Sequence, residues 1–234
     1  MLHSQSQNRL LRILDPADRE ALAPFLQRVD LKRREILFES YKPIEFAYFF
    51  ESGLSSEIAR NLDDNRIEVG CIGREGLSGV PVLLGLDQTP HYAFMQADGV
   101  ALRIRREDLQ ALMETLPGLR TILLRYVHVF MIQIAATALA DGRYGIAQRL
   151  ARWLLMSQDR LGNELPLTHE FLGLMLGVRR PSVTDALHVV EGKQLIRAER
   201  GMITVRDRSG LEQLAGKAYG LPEAEYNRLF PEAS

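Results

Sequence analysis

Two adjacent arginines followed by a proline, Arg179-Arg180-Pro181, close an apolar stretch that begins after Thr168-His169. A guanidinium group can bond bidentately to the edge of a guanine or to a phosphate, so the pair is the chain's best candidate for recognising nucleic acid. Thr168 suits an N-cap, because its hydroxyl can accept from a free backbone N–H of the first turn. Phe171, Leu172, Met175 and Leu176 follow at helical spacing. Gly173 is small where a second helix must cross closely, and Gly177 suits a tight turn that needs a positive φ. Pro181 is favoured in the first turn of the next helix, where its missing N–H costs nothing. Val183, Ala186, Leu187 and Val190 give that helix an apolar face, leaving Arg180, Ser182, Thr184, Asp185 and His188 for the other.

With the second helix in a major groove, this pattern places Arg180 against a base and Arg179 close behind. Thr168 and His169 would then sit near phosphates, and Asp185 can accept from a cytosine amino group or pair with Arg179. Downstream, Leu195-Ile196-Arg197, a turn at Glu199 to Gly201, and Met202 to Val205 read as a β-hairpin, with Arg197 and Arg200 in reach of a nucleic-acid backbone. Two helices joined at a glycine are common in proteins, and paired arginines are often a solvated face. The hairpin and the preceding long helix favour the recognition reading.

The 234 residues carry a net charge of −1, but the charge is uneven: residues 139–208 hold 11 Lys+Arg against 8 Asp+Glu, while the flanking segments are each −2. A local basic surface is what nucleic acid requires. The one cysteine, Cys71, excludes an intrachain disulfide and an all-cysteine iron–sulfur shell, and fits a reducing cytoplasm. No charged-then-apolar leader follows Met1, so a cytoplasmic protein is expected. The five histidines, His3, His91, His128, His169 and His188, are scattered. A cupin-like β-barrel metalloenzyme, which needs clustered ligands, is therefore the weaker alternative, and no enzyme activity, cofactor or metal is expected.

Around these residues the periodicity changes twice. Asn8 to Arg28 suits one or two short helices broken near Pro16. From Ile36 to Ile104, glycines punctuate short β-branched or aromatic runs at Phe46–Phe50, Ile67–Ile72, His91–Gln96 and Val100–Ile104, as in an antiparallel roll. After Pro117, Leu119, Ile122, Leu123, Tyr126, Val127, Phe130, Met131, Ile134 and Ala138 recur at intervals of three and four. This helix must bury its stripe against its own β domain or against a second copy, and a dimer seam is the favoured reading. Arg125, His128 and Gln133 interrupt its most apolar part, which reads as a packed helix and not a membrane span. Asp141-Gly142 is the candidate hinge. A helix from Arg143 to Gln158 follows, and Leu211 to Phe230 suits one or two short helices beyond the hairpin. The expected fold is thus α+β: a β-roll over 1–116, a dimerisation helix and hinge over 117–140, and a winged helix-turn-helix over 141–234.

In this order of elements, and in the stretch Leu-Gly-Leu-Met-Leu-Gly-Val-Arg-Arg-Pro-Ser-Val from Leu172 to Val183, the chain resembles the Crp/Fnr family of transcription regulators. The resemblance implies a homodimer binding a palindromic operator on double-stranded DNA, a β-roll that senses a small effector, and contact with RNA polymerase. It places the effector pocket at Gly76, Gly79, Val80, His91, Tyr92 and Tyr126. Members that bind cyclic nucleotides carry Gly-Glu and a later Arg-Ser or Arg-Thr, where this chain has Gly79-Val80-Pro81 and Thr89-Pro90-His91-Tyr92. Without the carboxylate and the guanidinium, cyclic AMP loses its charge-assisted partners and is not the expected effector. Gating by a different small ligand stays open. The recognition helix departs from Arg-Glu-x-x-x-Arg as well, since Pro181 and Asp185 replace the glutamate and the second arginine. A different operator is implied.

Overall fold

The computed structural model describes residues 6–231. Asn8 caps a first short helix, α1 (Arg9–Arg12), by accepting from the amides of Leu10 and Leu11, and its amide nitrogen donates to the carbonyls of Phe50 and Gly76. Helix α2 (Pro16–Leu22) begins on its proline, and a 3₁₀ turn leads into the roll. Eight strands build it: β1 (Gln27–Leu31), β2 (Ile36–Phe38), β3 (Phe46–Phe50), β4 (Leu54–Arg60), β5 (Arg66–Ile72), β6 (Leu77–Ser78), β7 (Tyr92–Ala97) and β8 (Gly99–Arg105). They form two antiparallel sheets, in the orders β1-β8-β3-β6 and β2-β7-β4-β5.

The runs expected at 46–50, 67–72, 91–96 and 100–104 are strands. Gln27 and Arg28, expected to end a helical segment, instead open the strand Gln27–Leu31, which pairs with β8. Its partner lies some seventy positions downstream, which local periodicity cannot reveal. Helix α3 (Val80–Leu83) interrupts the sheet, and α4 (Arg106–Thr115) follows it.

Helix α5 (Pro117–Arg143) has two apolar faces. Leu119, Leu123, Tyr126, Val127 and Phe130 join Phe49, Phe50, Leu77, Val82 and Leu83 in the core of the roll. These are most of the residues whose spacing suggested a seam, so the roll covers that stripe. A second stripe, Leu124, His128, Met131, Ala135, Ala138 and Gly142, is exposed and repeats at alternating steps of four and three. Leu124 is 39% exposed, Met131 62% and neighbouring Leu139 55%. The helix is long and apolar enough to cross a membrane by composition alone, but its first face packs as a core helix does. It runs through Asp141 and Gly142 and ends at Arg143, so the break falls at Tyr144-Gly145. A glycine with open space around it is tolerated inside a helix.

Helix α6 (Ile146–Leu161) buries Leu150, Trp153 and Leu154 under the second half of the chain. Beyond it lie β9 (Glu164–Leu165), α7 (His169–Leu176), α8 (Arg180–Gly192), β10 (Ile196–Glu199), β11 (Met202–Val205), α9 (Arg208–Ala215) and α10 (Leu221–Leu229). The expected hairpin is present and gains a third strand, in the order β10-β11-β9. Leu54, Cys71 and Ala97 of the roll belong to the same apolar cluster as α6, α7 and α8, so the two halves share a core.

Candidate nucleic-acid interface

The turn between α7 and α8 is built as its residues require. Thr168 Oγ1 accepts from the Phe171 amide at 3.3 Å, which caps α7. Gly177 has φ +61, and a Cβ there would stand 2.8 Å from Ile67 Cδ1. The positive φ is what favours glycine there, while the end of the Ile67 side chain on β5 could shift to admit a Cβ. A Cβ on Gly173 would lie 3.2 Å from the Val178 carbonyl oxygen, so the turn folds tightly over α7. Arg179 is the N-cap position of α8, and Pro181 occupies its first turn.

Val183, Ala186, Leu187 and Val190 bury one face of α8. Arg179, Arg180, Pro181, Asp185 and His188 are exposed, and Ser182 and Thr184 are half-buried at the margins. The Thr184 hydroxyl donates to the Arg180 carbonyl at 3.2 Å and faces His169 Nδ1 at 3.5 Å, bringing the two helices' polar candidates together. Asp185 forms no ion pair with Arg179 among the described residues. In the hairpin, Arg197 is paired with Glu199, whereas Arg200 is exposed at the tip.

What holds this surface was not legible in the sequence. Arg149 of α6 donates to the Leu176 carbonyl at the end of α7 and pairs with Asp141 of α5 at 2.6 Å. A cation at the C-terminus of a helix satisfies an orphan carbonyl and the helix dipole together. The rear of α7 rests on the roll: Phe171 stacks on Phe94 with centroids 5.8 Å apart, Arg33 lies 4.8 Å above the Phe171 ring, and Gln96 Nε2 donates to Met175 Sδ at 3.4 Å. Hydrophobic spacing marked Phe171 and Met175 as buried but carried no information about partners so distant in sequence.

Gly76 lies against Tyr126, whose ring would be 2.4 Å from a Cβ there and whose hydroxyl donates to the Leu77 carbonyl at 3.1 Å. Gly79, with φ +103, starts α3 with Val80. His91 and Tyr92 lie at the start of β7, beside Arg60 and Arg66. Burial lowers the His91 pKa. His3 lies outside the described residues, and among those described no three His, Cys, Asp or Glu side chains converge as a metal site requires.

A β-roll, a long helix and a two-helix turn followed by a small antiparallel wing together define a β-roll scaffold carrying a winged helix-turn-helix. Residues 148–214 match the model of the Crp-like helix-turn-helix domain. The chain is 24% identical over 172 residues to the cyclic AMP receptor protein of Thermus thermophilus, a match covering 72% of this chain and 78% of that one. FixK2 from Bradyrhizobium japonicum superposes with a TM-score of 0.70 at 17% identity, over 82% of this chain and 98% of FixK2. A CRP-family transcriptional regulator from Thermus thermophilus gives 0.67 at 19% identity, over 81% and 96%. Residues 148–214 are thus a Crp-like helix-turn-helix domain, and the chain shares the fold of CRP-family structures, a β-roll joined by a long helix to that domain.

Proposed function

We propose that the chain binds a palindromic operator as a homodimer, with α8 of each copy in the major groove. The exposed face of α8 carries this reading: it presents Arg180 in the first turn, then Asp185 and His188, away from the core, which suits base edges. Arg180 takes a guanine, Asp185 and His188 adjust specificity, and Ser182 and Thr184 flank them. Arg179, Thr168, His169 and Arg200 hold phosphates and fix register.

The exposed stripe of α5 supplies the dimer seam, since its four-three spacing is that of a coiled coil and its small residues at Ala135, Ala138 and Gly142 allow close approach. Cyclic AMP does not gate this chain through the roll: the side chains that would hold its phosphate and ribose are absent, and the Tyr126 ring packs against Gly76. The protein acts in the cytoplasm, without enzymatic activity of its own, and its promoter-bound dimer contacts RNA polymerase.

Selection of sites from random DNA with the purified protein tests the reading. The expected result is one enriched inverted repeat. For Arg180→Ala, affinity for that repeat falls by about 1–3 kcal/mol while non-specific binding is largely kept. An equal loss on every sequence would make Arg180 a phosphate contact, and no enriched sequence at all would defeat the proposal.

A further inference from the structure

The C-terminal segment, to which the helix-turn-helix assigns no role, closes a cavity. Helix α10 packs along α5, with Tyr226 Oη donating to the Glu75 carbonyl at 2.7 Å and Glu225 meeting His128 at 3.2 Å. Between α10, α5, α6, the N-terminal helix and the turn before β6 lies a space of about 590 Å³. That is within the range of pockets for small organic ligands. None of Gly76, Gly79, Val80, His91 or Tyr92 lines it, and Tyr126 alone is shared with the pocket expected in the roll.

Its lining is chemically lopsided. Four arginines, Arg12, Arg74, Arg160 and Arg208, face three carboxylates, Glu75, Asp159 and Glu223, and a fifth, Arg9, is engaged over the Tyr226 ring at 4.8 Å. Two of those carboxylates are engaged: Glu75 with Arg160 at 2.7 Å and Asp159 with Arg208 at 2.8 Å. Glu223 accepts from the Gly220 amide, and its burial raises its pKa, which weakens it as an anion. Arg12 and Arg74 stand exposed at the rim, with no carboxylate partner among the described residues. The floor is apolar and aromatic, with Tyr126, Val129, Phe130 and Tyr226 all buried. The polar wall is fixed before any ligand arrives, because Tyr219 Oη donates to Asp159 at 2.6 Å and accepts from Arg208 at 2.9 Å, and Gln133 is held by the Cys71 amide at 2.7 Å.

Cationic rim, aromatic floor and hydrogen-bonded wall select one kind of molecule. We propose that this cavity binds a flat, ring-bearing organic anion whose phosphate or carboxylate is held by Arg12 and Arg74 and whose ring lies against Val129 and Phe130. Arginine is suited to both anions, and an aliphatic and an aromatic side chain to the ring. The site touches both halves of the molecule, through Glu75 of the roll and through Asp159, Arg160 and Arg208 of the winged helix.

Calorimetry on the full chain without DNA tests this, so a negative result leaves the DNA-binding reading untouched. The probes are AMP for ring plus phosphate, salicylate for ring plus carboxylate, inorganic phosphate for the anion alone and benzyl alcohol for the ring alone. AMP or salicylate is expected to bind at least tenfold more tightly than either partial probe, and which of the two binds identifies the anion. The paired substitution Arg12→Ala with Arg74→Ala, at exposed positions, should weaken that binding at least tenfold with an unchanged Tm. Asn227→Trp at the rim should block it. Binding of inorganic phosphate as tight as that of the best probe, no binding of AMP or salicylate at millimolar concentration, or binding indifferent to all these substitutions would overturn the proposal.

Discussion

The paired sheets of the roll and the outer face of α8 treat their charges in opposite ways. The roll buries them: Glu57 and Glu68 are enclosed on neighbouring strands, and burial pushes their pKa values up to about 7 and about 8. Ser78 donates to Glu57, while one oxygen of Glu68 has no hydrogen-bond partner. The winged helix leaves Arg179, Arg180, Asp185 and His188 in solvent, and no side-chain partner engages them among the described residues. A buried charge reports on the fold and its stability, because its cost depends on what surrounds it. An exposed, unpaired charge on a rigid helix costs the fold little and is available to a partner. The contrast separates the scaffold of the roll from the proposed reading surface on α8.

The largest effect is expected where both halves depend on the same element. Leu124→Glu with Met131→Glu places like charges along the exposed stripe of α5 while sparing the face packed on the roll. Sedimentation should then show a monomer. Loss of the second binding module should weaken operator binding by roughly 10²–10⁴-fold, the usual gain from linking two modules. A dimer that persists would place the seam elsewhere and leave the exposed stripe without a role.

The next effect sharpens the contrast through pH. Glu68 is more readily protonated in the folded chain than in the unfolded one, where its ordinary value is 4.5. Between pH 4.5 and about 8 the unfolded chain therefore binds fewer protons, and stability falls as pH rises, levelling off above about 8. Glu57 acts in the same direction, with its window closing near pH 7. At about 1.4 kcal/mol per pKa unit, the shift from 4.5 to about 8 makes Glu68 alone contribute a slope totalling on the order of 5 kcal/mol. Glu68→Gln should remove most of it, with the gain over the wild type largest at pH 8 and small at pH 4.5. Denaturant titrations at several pH values check this, and equal slopes in the two proteins would show that Glu68 is solvated in solution.

The same contrast explains what could be read from the sequence. The helix-turn-helix was legible because its signals are local: a cap at Thr168, a turn glycine at Gly177, a proline in the first turn of α8 and apolar spacing along one face. The strand at 46–50 was legible for a similar reason, in its run of aromatics. Strand β1, the support of α7 by Phe94 and Arg33, and the link from Arg149 to the end of α7 were not, since each depends on a partner far along the chain. Helix α5 falls between. Its periodicity announced an apolar stripe correctly, but two stripes overlap on one helix, and only packing shows which of them faces the roll.

The smallest expected effect separates fold from reading at a single side chain. Thr168 Oγ1 accepts from the Phe171 amide as the cap of α7, and its hydroxyl hydrogen stays available to a phosphate. Thr168→Ala removes both roles, costing about 1 kcal/mol of stability and one phosphate contact. Thr168→Asp keeps an N-cap acceptor and favours the helix dipole, so its stability should stay within about 0.5 kcal/mol of the wild type. A carboxylate beside a phosphate is repulsive, however, and binding should weaken on all DNA sequences alike. If Thr168→Asp binds DNA as the wild type does, the first turn of α7 lies away from the phosphates, and α8 would have to enter the groove at a different tilt with Arg179 as its leading contact.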